Sequence, residues 1–402
     1  MATASIAGTC APEFSAVREE FVGNFNRRDE VGGAVCVIVD GDTVVDLWGG
    51  VADAATGRAW EADTRVVVYS CTKAATALCA HVLADRGLLD LDAPVAQYWP
   101  EFAANGKEGA IVSMMLDHSV GVPALSVELE PGSMYDWTLM CELLANQEPW
   151  WTPGTRNGYH MITFGWTVGE LVRRVSGRSL GTFFREEVAA PLGLELDIGL
   201  PEELEPTVAP IIPWIPERDY DSNLTRAIRA EPKGVTAMAM KNMLRARTNP
   251  NTRVYRAAEL GGGSGVATAR GLAGMYAPLS CGGGDLVGPD TVARMGQVST
   301  ATQDDAVLRI PTRFTLGFMK SMDNRRRVPT PGCSAVLSAE AFGHAGAGVG
   351  HPDAAPGARM SLGYVMNRQG AGILLNERGQ SLVDAVYRSL GYRGNAAGVW
   401  RR

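Results

Sequence analysis

The sequence predicts an α+β fold in which both ends of the chain supply strands to one antiparallel sheet, helices flank that sheet, and a mostly helical lobe fills the middle. Runs rich in β-branched and other apolar residues occur near both termini, at residues 34–39, 43–48, 312–321, 341–350 and 360–367. The part between them is mainly helix-like and loop-like. We therefore predict a sheet domain made of residues 1–105 and 300–402, and a helical lobe with substrate-pocket loops at residues 106–299.

The N-terminal elements follow from periodicity and turn signals. Residues 14–29 have the spacing of an amphipathic helix. The next two β-rich runs are joined by Asp40-Gly41-Asp42, which predicts a tight hairpin turn. A further β-like run, residues 65–69, leads into a helix-like run that starts near Ala74.

The junction between that run and that helix carries the S-x-x-K tetrad Ser70-Cys71-Thr72-Lys73. Side chains three apart share a helix face, so the tetrad holds a hydroxyl beside an amine. A serine is a weak nucleophile until a base takes its proton, and a partly desolvated lysine can be that base. The alternative is that Ser70 simply caps the helix. Cys71 is interpreted as a small buried apolar side chain.

The remaining elements are mostly helical. The sequence predicts helices at residues 161–175, 267–279 and 380–390, whereas residues 200–260 have no clear pattern. The glycine-rich stretch Gly261–Gly265 lacks the lysine and spacing of a phosphate loop and is interpreted as a flexible turn.

Composition excludes several classes of protein. The chain has 402 residues, a formal net charge of −7 and 46% hydrophobic residues, which is typical of a globular protein. The acidity argues against a nucleic acid or an anionic membrane as the main partner. We expect a cytoplasmic protein, because we find no signal peptide and the seven cysteines are scattered singly. No cofactor or metal is predicted, since the five histidines lack metal-ligand spacing. The oligomeric state stays open.

Two further segments can complete a serine site. Tyr159 stands where a turn-rich stretch meets a helix, and a tyrosine can act as a base if a nearby cation such as Lys73 depresses its pKa. Near the C-terminus, residues 342–348 alternate small residues around His344, so a strand backbone can pass close to Ser70 and offer an N–H group to an oxyanion. We expect His344 to point into the cleft as a polar or partly cationic group. The alternative for Tyr159 is a buried ring, and the alternative for residues 342–348 is a tightly packed glycine-rich strand.

Ser70-x-x-Lys73, Tyr159 and His344-Ala345-Gly346, in this order, resemble the serine β-lactamase and penicillin-binding-protein superfamily, and most closely the class C β-lactamases and the family VIII carboxylesterases. Connecting stretches are similar as well, at residues 87–100, 115–121, 151–155 and 361–367.

The resemblance implies a β-lactamase/transpeptidase-like fold and a role for each matching residue. Ser70 would be the acylated nucleophile, and Lys73 with Tyr159 would be the base pair. The backbone N–H groups of Ser70 and Ala347 would form the oxyanion hole. Three of the matching residues would contact the substrate: Met161, His344 and Gly346. Independently of the resemblance, five aromatic residues could line an apolar acyl pocket or belong to the core: Tyr135, Trp137, Trp150, Trp151 and Phe164.

Two positions depart from the class C pattern. Met161 stands where an asparagine would bind the amide side chain of the drug, and His344 replaces a lysine that helps to hold the drug's carboxylate. Both changes fit a neutral ester better than an anionic β-lactam. A second motif, Gly177-Arg178-Ser179-Leu180-Gly181, fits the G-x-S-x-G nucleophile elbow, but it lacks the preceding strand and is interpreted as a turn with Ser179 as a cap.

We therefore predict a serine carboxylesterase that acts on short-chain acyl esters through an acyl-serine intermediate. Three alternatives stay open: an acyltransferase with the same intermediate, a β-lactamase or D-amino-acid peptidase, and a non-catalytic binding protein of the same fold. The predicted partner is a small-molecule ester, with neither nucleic acid nor membrane involved.

Overall fold

A central antiparallel sheet is built from the two ends of the chain. The computed structural model describes residues 5–217, 220–328, 331–348 and 350–402. The sheet has the order β1-β3-β2-β12-β11-β10, with the short β4 paired to β3. The strands are β1 (Ile6–Cys10), β2 (Gly32–Val39), β3 (Asp42–Asp53), β4 (Arg58–Ala59), β10 (Phe342–Gly343), β11 (Gly350–Ala355) and β12 (Met360–Met366). The predicted fold class is confirmed.

Two small sheets lie outside the central one. β5 (Val66–Val67), β7 (Val266–Ala267) and β6 (Leu196–Asp197) form the first, and β8 (Thr300–Thr302) pairs with β9 (Thr312–Phe314) in the second. β5 ends just before Ser70, so the first small sheet fixes the chain where the tetrad begins.

Twelve α-helices surround these sheets in the described part of the chain. They are α1 (Ser15–Arg27), α2 (Thr72–Asp85), α3 (Val112–Leu116), α4 (Trp137–Asn146), α5 (Phe164–Ser176), α6 (Leu180–Phe184), α7 (Asn223–Ala230), α8 (Val235–Arg245), α9 (Arg253–Ala257), α10 (Ala269–Ser280), α11 (Pro289–Gly296) and α12 (Glu377–Ser389). None of these helices combines the length and the apolar composition needed to cross a membrane.

The predicted hairpin is confirmed, and the strand predictions near the C-terminus need correction. β2 and β3 are joined at Asp40 and Gly41, both with positive φ, as a two-residue hairpin turn requires. The run at residues 312–321 forms only the short β9, and the run at residues 341–350 breaks into a turn after Gly343. Sequence patterns missed β11 because its Pro352 and Asp353 are unusual in a buried strand.

Helices cover both faces of the sheet. α10 packs on β12 so closely that a Cβ at Gly363 would lie 2.3 Å from the carbonyl oxygen of Ala269. On the opposite face, α1 and α12 pack together, and Arg378 of α12 forms a buried 2.8 Å ion pair with Glu30. The sheet is therefore a rigid layer buried on both sides.

Helix packing also crosses the predicted boundary between the two lobes. α2, from the sheet range, packs against α5 and α6. α10, from the helical range, packs on the sheet. The predicted domain ranges stay a prediction, and α2, which begins just after Ser70, lies against helices of the other predicted range.

Candidate active site

Ser70 occupies a strained turn at the start of α2. The turn Tyr69–Cys71 is a 3₁₀ helix, and Tyr69 has φ = +44°, a conformation that costs a bulky residue free energy. Thr72 stabilises the turn, because its hydroxyl donates to the Tyr69 carbonyl at 2.6 Å and accepts from the Gly265 N–H at 2.9 Å. The serine hydroxyl is thereby presented at a cavity rather than buried in the helix.

Lys73 is fully buried and has three polar neighbours. Its Nζ atom lies 3.1 Å from Ser70 Oγ, 2.8 Å from the Met161 carbonyl oxygen and 2.7 Å from the Gly262 carbonyl oxygen. Burial lowers the pKa of Lys73 to about 7. A neutral amine keeps two N–H groups for the two carbonyls and one lone pair, which then faces Ser70. The geometry is that of a base beside its nucleophile.

The stretch Gly261–Gly265, predicted to be a flexible turn, is a largely buried support for α2. Besides Gly262, Gly261 contributes a carbonyl that accepts from Thr76 Oγ1 at 2.9 Å. A Cβ at Gly165 of α5 would lie 2.4 Å from the Gly262 nitrogen, so these backbones touch directly. The prediction was wrong because a glycine run has the same appearance whether it is mobile or packed between two helices.

Tyr159 lies beside Lys73, as predicted, but its ring is buried, which was the alternative, and its pKa is shifted in the other direction. Lys73 Nζ lies 4.9 Å from the centre of the tyrosine ring. Burial raises the pKa of Tyr159, and a hydrogen bond with Ser70 offsets this only in part. The expectation that Lys73 depresses the pKa of Tyr159 is therefore wrong, because burial also lowers the charge on Lys73. Tyr159 stays a neutral phenol, able to donate and relay a proton.

Asp305 holds Tyr159 in place and was not singled out from the sequence. Its buried carboxylate accepts from the Tyr159 N–H at 3.1 Å and also from the Val307 N–H, the Leu308 N–H and the Thr312 hydroxyl. The ring of Tyr159 stacks on Phe314 and lies 5.0 Å from the His118 ring. A lone aspartate in a loop gives no sequence signal for this role.

The glycine-rich C-terminal segment passes directly over the Ser70 turn. A Cβ at Gly346 would lie 2.2 Å from the Val68 carbonyl oxygen and 2.9 Å from Cys71 Sγ. The Gly346 N–H donates to the Gly350 carbonyl at 3.0 Å, so it is not free for a substrate. Ala347 lines the same cavity as Ser70, and its N–H has no acceptor within the described residues. Ser70 and Ala347 therefore line the same cavity, and their role as an oxyanion hole stays a prediction.

Changing Gly346 to alanine is expected to lower ester hydrolysis by about 100-fold, on the scale of losing one oxyanion donor. The new Cβ must push the strand away from Val68, and Ala347 moves with it. Initial rates and melting temperatures measure the effect. Gly109→Ala is the matched control, because a Cβ there meets no atom within 4 Å. A Gly346→Ala enzyme with full activity would show that this contact does not set the site.

The prediction that His344 points into the cleft is wrong. It is 1% exposed, it is absent from the residues lining the cavity, and its Nδ1 lies 2.9 Å from the Ala345 carbonyl oxygen. Burial lowers the pKa of His344 to about 3, so the ring is neutral at pH 7. Its ring centre lies 6.0 Å from that of Tyr159. His344 therefore supports Tyr159 and supplies no positive charge for a carboxylate.

The cavity at Ser70 has a volume of about 450 Å³ and walls that are mainly apolar. Met161 lines it, as predicted. Trp151 does not: its Nε1 donates to the Ser119 carbonyl at 3.0 Å, and its ring packs on Gly158. The aromatic residues expected at the cavity, Trp151 among them, do not line it. The apolar wall consists instead of Met134, Trp166, Leu224, Met240, Met243, Leu244, Tyr255, Leu260, Leu308 and Ile373.

The second serine motif is structural, as predicted. Ser179 is the N-cap of α6, where its side chain accepts from the Thr182 N–H, and it lies between α5 and α6 rather than after a strand. Its hydroxyl also donates to Glu259 at 2.8 Å. Cys71 is fully buried, in agreement with its predicted role as a packing residue.

Comparison with known proteins agrees with this geometry. The family model described as Beta-lactamase matches residues 17–384. The chain is 37% identical over 324 residues to the Esterase/beta-lactamase LipL of Mycobacterium tuberculosis, covering 77% of this chain and 74% of the relative.

Two solved structures are similar over almost the whole chain. A family VIII carboxylesterase superimposes with a TM-score of 0.83 at 36% identity, covering 96% of this chain and 100% of the other. A penicillin-binding-protein homologue from Caulobacter crescentus gives a TM-score of 0.82 at 33% identity, with the same coverage.

Proposed function

We propose that this chain, which belongs to the beta-lactamase family and has its hydrolase fold, is a serine carboxylesterase that works through a covalent acyl-serine intermediate. The observation that carries the proposal is the 3.1 Å approach of Ser70 Oγ, at the wall of an apolar cavity, to the buried Lys73, whose pKa burial lowers to about 7. The similarity to a family VIII carboxylesterase and to LipL supports an ester as the substrate.

The acylation step uses groups already in contact. Lys73 takes the Ser70 proton as Oγ attacks the ester carbonyl, and the N–H groups of Ser70 and Ala347 stabilise the oxyanion. When the carbon–oxygen bond to the alcohol breaks, the proton on Lys73 passes to the leaving oxygen, directly or through the Tyr159 hydroxyl. Water then attacks the acyl-serine and the same base takes its proton. When the bond between the acyl carbon and Ser70 Oγ breaks, Lys73 returns this proton to Oγ and the acid is released.

The groups next to Ser70 offer neither an amide nor a cation for a β-lactam. Met161 offers a carbonyl to Lys73 and an apolar side chain to the cavity, but no amide. His344 is neutral and lies outside the cavity, so it cannot balance a carboxylate beside the nucleophile. These two features support an esterase rather than a β-lactamase or a peptidase.

A rate series with 4-nitrophenyl acetate, butyrate and octanoate beside nitrocefin tests the proposal, with intact-protein mass spectrometry to detect the acyl-enzyme. We expect fast turnover of the esters and little of nitrocefin. Rapid nitrocefin cleavage would favour a β-lactamase, and a stable acyl-enzyme without turnover would favour an acyltransferase. An absence of both turnover and acylation would overturn the proposal.

A further inference from the structure

The wall of the cavity carries one formal charge. Among the described residues that line it, Arg247 is the only side chain with an ionised group at neutral pH. It follows α8, whose residues Met240, Met243 and Leu244 line the same wall at the spacing of one helix face. A substrate in the cavity therefore meets a largely apolar surface and a single guanidinium.

This guanidinium has no protein partner in the described part of the chain. No carboxylate lies within 4.0 Å of it and no hydrogen bond from its side chain is found there. Its neighbours differ: Arg245 pairs with Glu128 at 2.7 Å, and Arg253 and Arg256 both pair with Glu205. Within the described residues Arg247 is exposed and its five donors meet no acceptor, and a guanidinium of this kind suits a planar carboxylate or a phosphate.

The backbone at Arg247 is unfavourable for an arginine. Its φ is +51°, at the position just after the end of α8 where glycine or asparagine is the usual residue. An L-residue with a large side chain pays more for this conformation than glycine does. Arg309 and Arg359 have similar φ values of +58° and +49°, so it is the place of Arg247 at the cavity, rather than its backbone, that sets it apart.

The surrounding charge has the same sign as Arg247. From the start of α7 to the end of α9, residues 223–257 contain eight arginines and lysines and one glutamate, hence a net charge of +7. The whole chain has a net charge of −7. Five of these basic groups pair with acids outside the segment, namely Asp221, Glu128 and Glu205, and the segment remains basic within an acidic protein, which favours anions beside the cavity.

From these observations we infer that the physiological substrate is an ester carrying an anionic group, a carboxylate or a phosphate, that Arg247 binds while the apolar part fills the cavity and the ester carbonyl reaches Ser70. This inference rests on the proposed function. It assigns Arg247 as a residue that determines specificity. The anion can belong to the acyl part of the ester or to its alcohol part, and the two cases are separated experimentally.

Two pairs of synthetic esters provide the test. Mono-4-nitrophenyl adipate and 4-nitrophenyl hexanoate differ by a carboxylate at the end of the acyl chain. 4-(Hexanoyloxy)benzoate and 4-(hexanoyloxy)benzamide differ by a carboxylate on the alcohol part. The readout is the ratio of kcat/KM for the anionic ester to that for the neutral ester, in the wild type and in variants.

We expect the wild type to favour the anionic ester in one pair, and Arg247→Gln to lower that ratio by about 10- to 100-fold, the range for a hydrogen-bonded charge. Arg247→Gly is a second variant. Glycine adopts the positive φ of this position without strain, so the variant should fold at least as well as the wild type, and it should lose the preference for the anionic ester. Arg245→Gln is the matched control, with the same change in charge two residues away and outside the cavity. It should keep the wild-type ratio and rate within about twofold.

Each outcome is decisive. Ratios that stay at the wild-type value in both Arg247 variants and in both pairs would overturn the inference while leaving the esterase intact. An equal fall of the kcat/KM ratio in Arg245→Gln would show that the effect comes from the overall positive charge of residues 223–257, and it would overturn direct binding by Arg247. If no ester of either kind is hydrolysed, the proposed function itself fails and this inference falls with it.

Discussion

Replacing Ser70 with alanine is expected to lower ester hydrolysis by about 10⁴-fold or more, on the scale seen when a serine nucleophile is removed from a hydrolase. The side chain is half-buried at the cavity, and its polar contacts are with Lys73 Nζ, 3.1 Å away, and with Tyr159. Because no core packing is lost, we expect the melting temperature to stay within a few degrees of that of the wild type. Initial rates with 4-nitrophenyl butyrate and thermal unfolding measure the two quantities.

Ser179→Ala is the matched control for the Ser70 variant. Ser179 belongs to the competing G-x-S-x-G motif and caps α6, so its loss should cost about 1 kcal/mol of stability and leave the rate nearly unchanged. The opposite result, with activity lost in Ser179→Ala and kept in Ser70→Ala, would move the nucleophile to the other motif and remove the basis for the proposed mechanism.

Lys73 is expected to govern the pH dependence of acylation. Burial lowers its pKa to about 7, and only the neutral amine can take the Ser70 proton. The value of kcat/KM should therefore rise with pH through about 7 and level off above it. Lys73→Met removes the base, and Lys73→Arg keeps a permanent charge, since arginine does not lose its proton in proteins. Both changes should lower kcat/KM by about 10³-fold, within the range for general base catalysis.

Lys320 provides the control for this pH profile. It is a second buried lysine, its Nζ donates to the Glu340 carbonyl at 3.0 Å, and its pKa is lowered to about 8, yet it lies outside the cavity. Lys320→Met should leave the pH profile of kcat/KM unchanged. A profile that shifts in Lys320→Met, or an active Lys73→Arg enzyme, would contradict the role assigned to Lys73.

Much of the catalytic centre could be predicted from the sequence because it depends on local spacing. Ser70 and Lys73 are three apart on one helix, and helix geometry brings them together whatever the rest of the chain does. Tyr159 and Ala347 required the order of motifs along the chain, since their approach to Ser70 depends on long-range packing. The hairpin β2–β3 was predictable for the same local reason, through the turn at Asp40 and Gly41.

Electrostatics at the site could not be read from the sequence. Lys73 was expected to lower the pKa of Tyr159, and His344 was expected to be polar or partly cationic. Both side chains are buried deeply enough that the neutral form is favoured. Asp305 was missed, because a carboxylate that accepts backbone N–H bonds from a distant loop has no sequence pattern.

The walls of the cavity were also beyond sequence patterns. Trp151 was expected there from its place before Tyr159, yet it packs under Ser119 instead. The wall comes largely from α8 and the loop after it, in the region of residues 200–260 where no periodicity was evident. Arg247 is visible as a functional residue only when its cavity and its lack of a partner are known.

The sequence by itself determined the fold class and the pairing of the Ser70 hydroxyl with the Lys73 amine, because these follow from hydrophobic patterning and from contacts within a few residues. Only the tertiary structure decided which groups are charged, which N–H group is free for an oxyanion and what lines the cavity. The physical reason is that burial sets the protonation of Lys73, Tyr159 and His344, and burial is a property of the packed chain rather than of any segment.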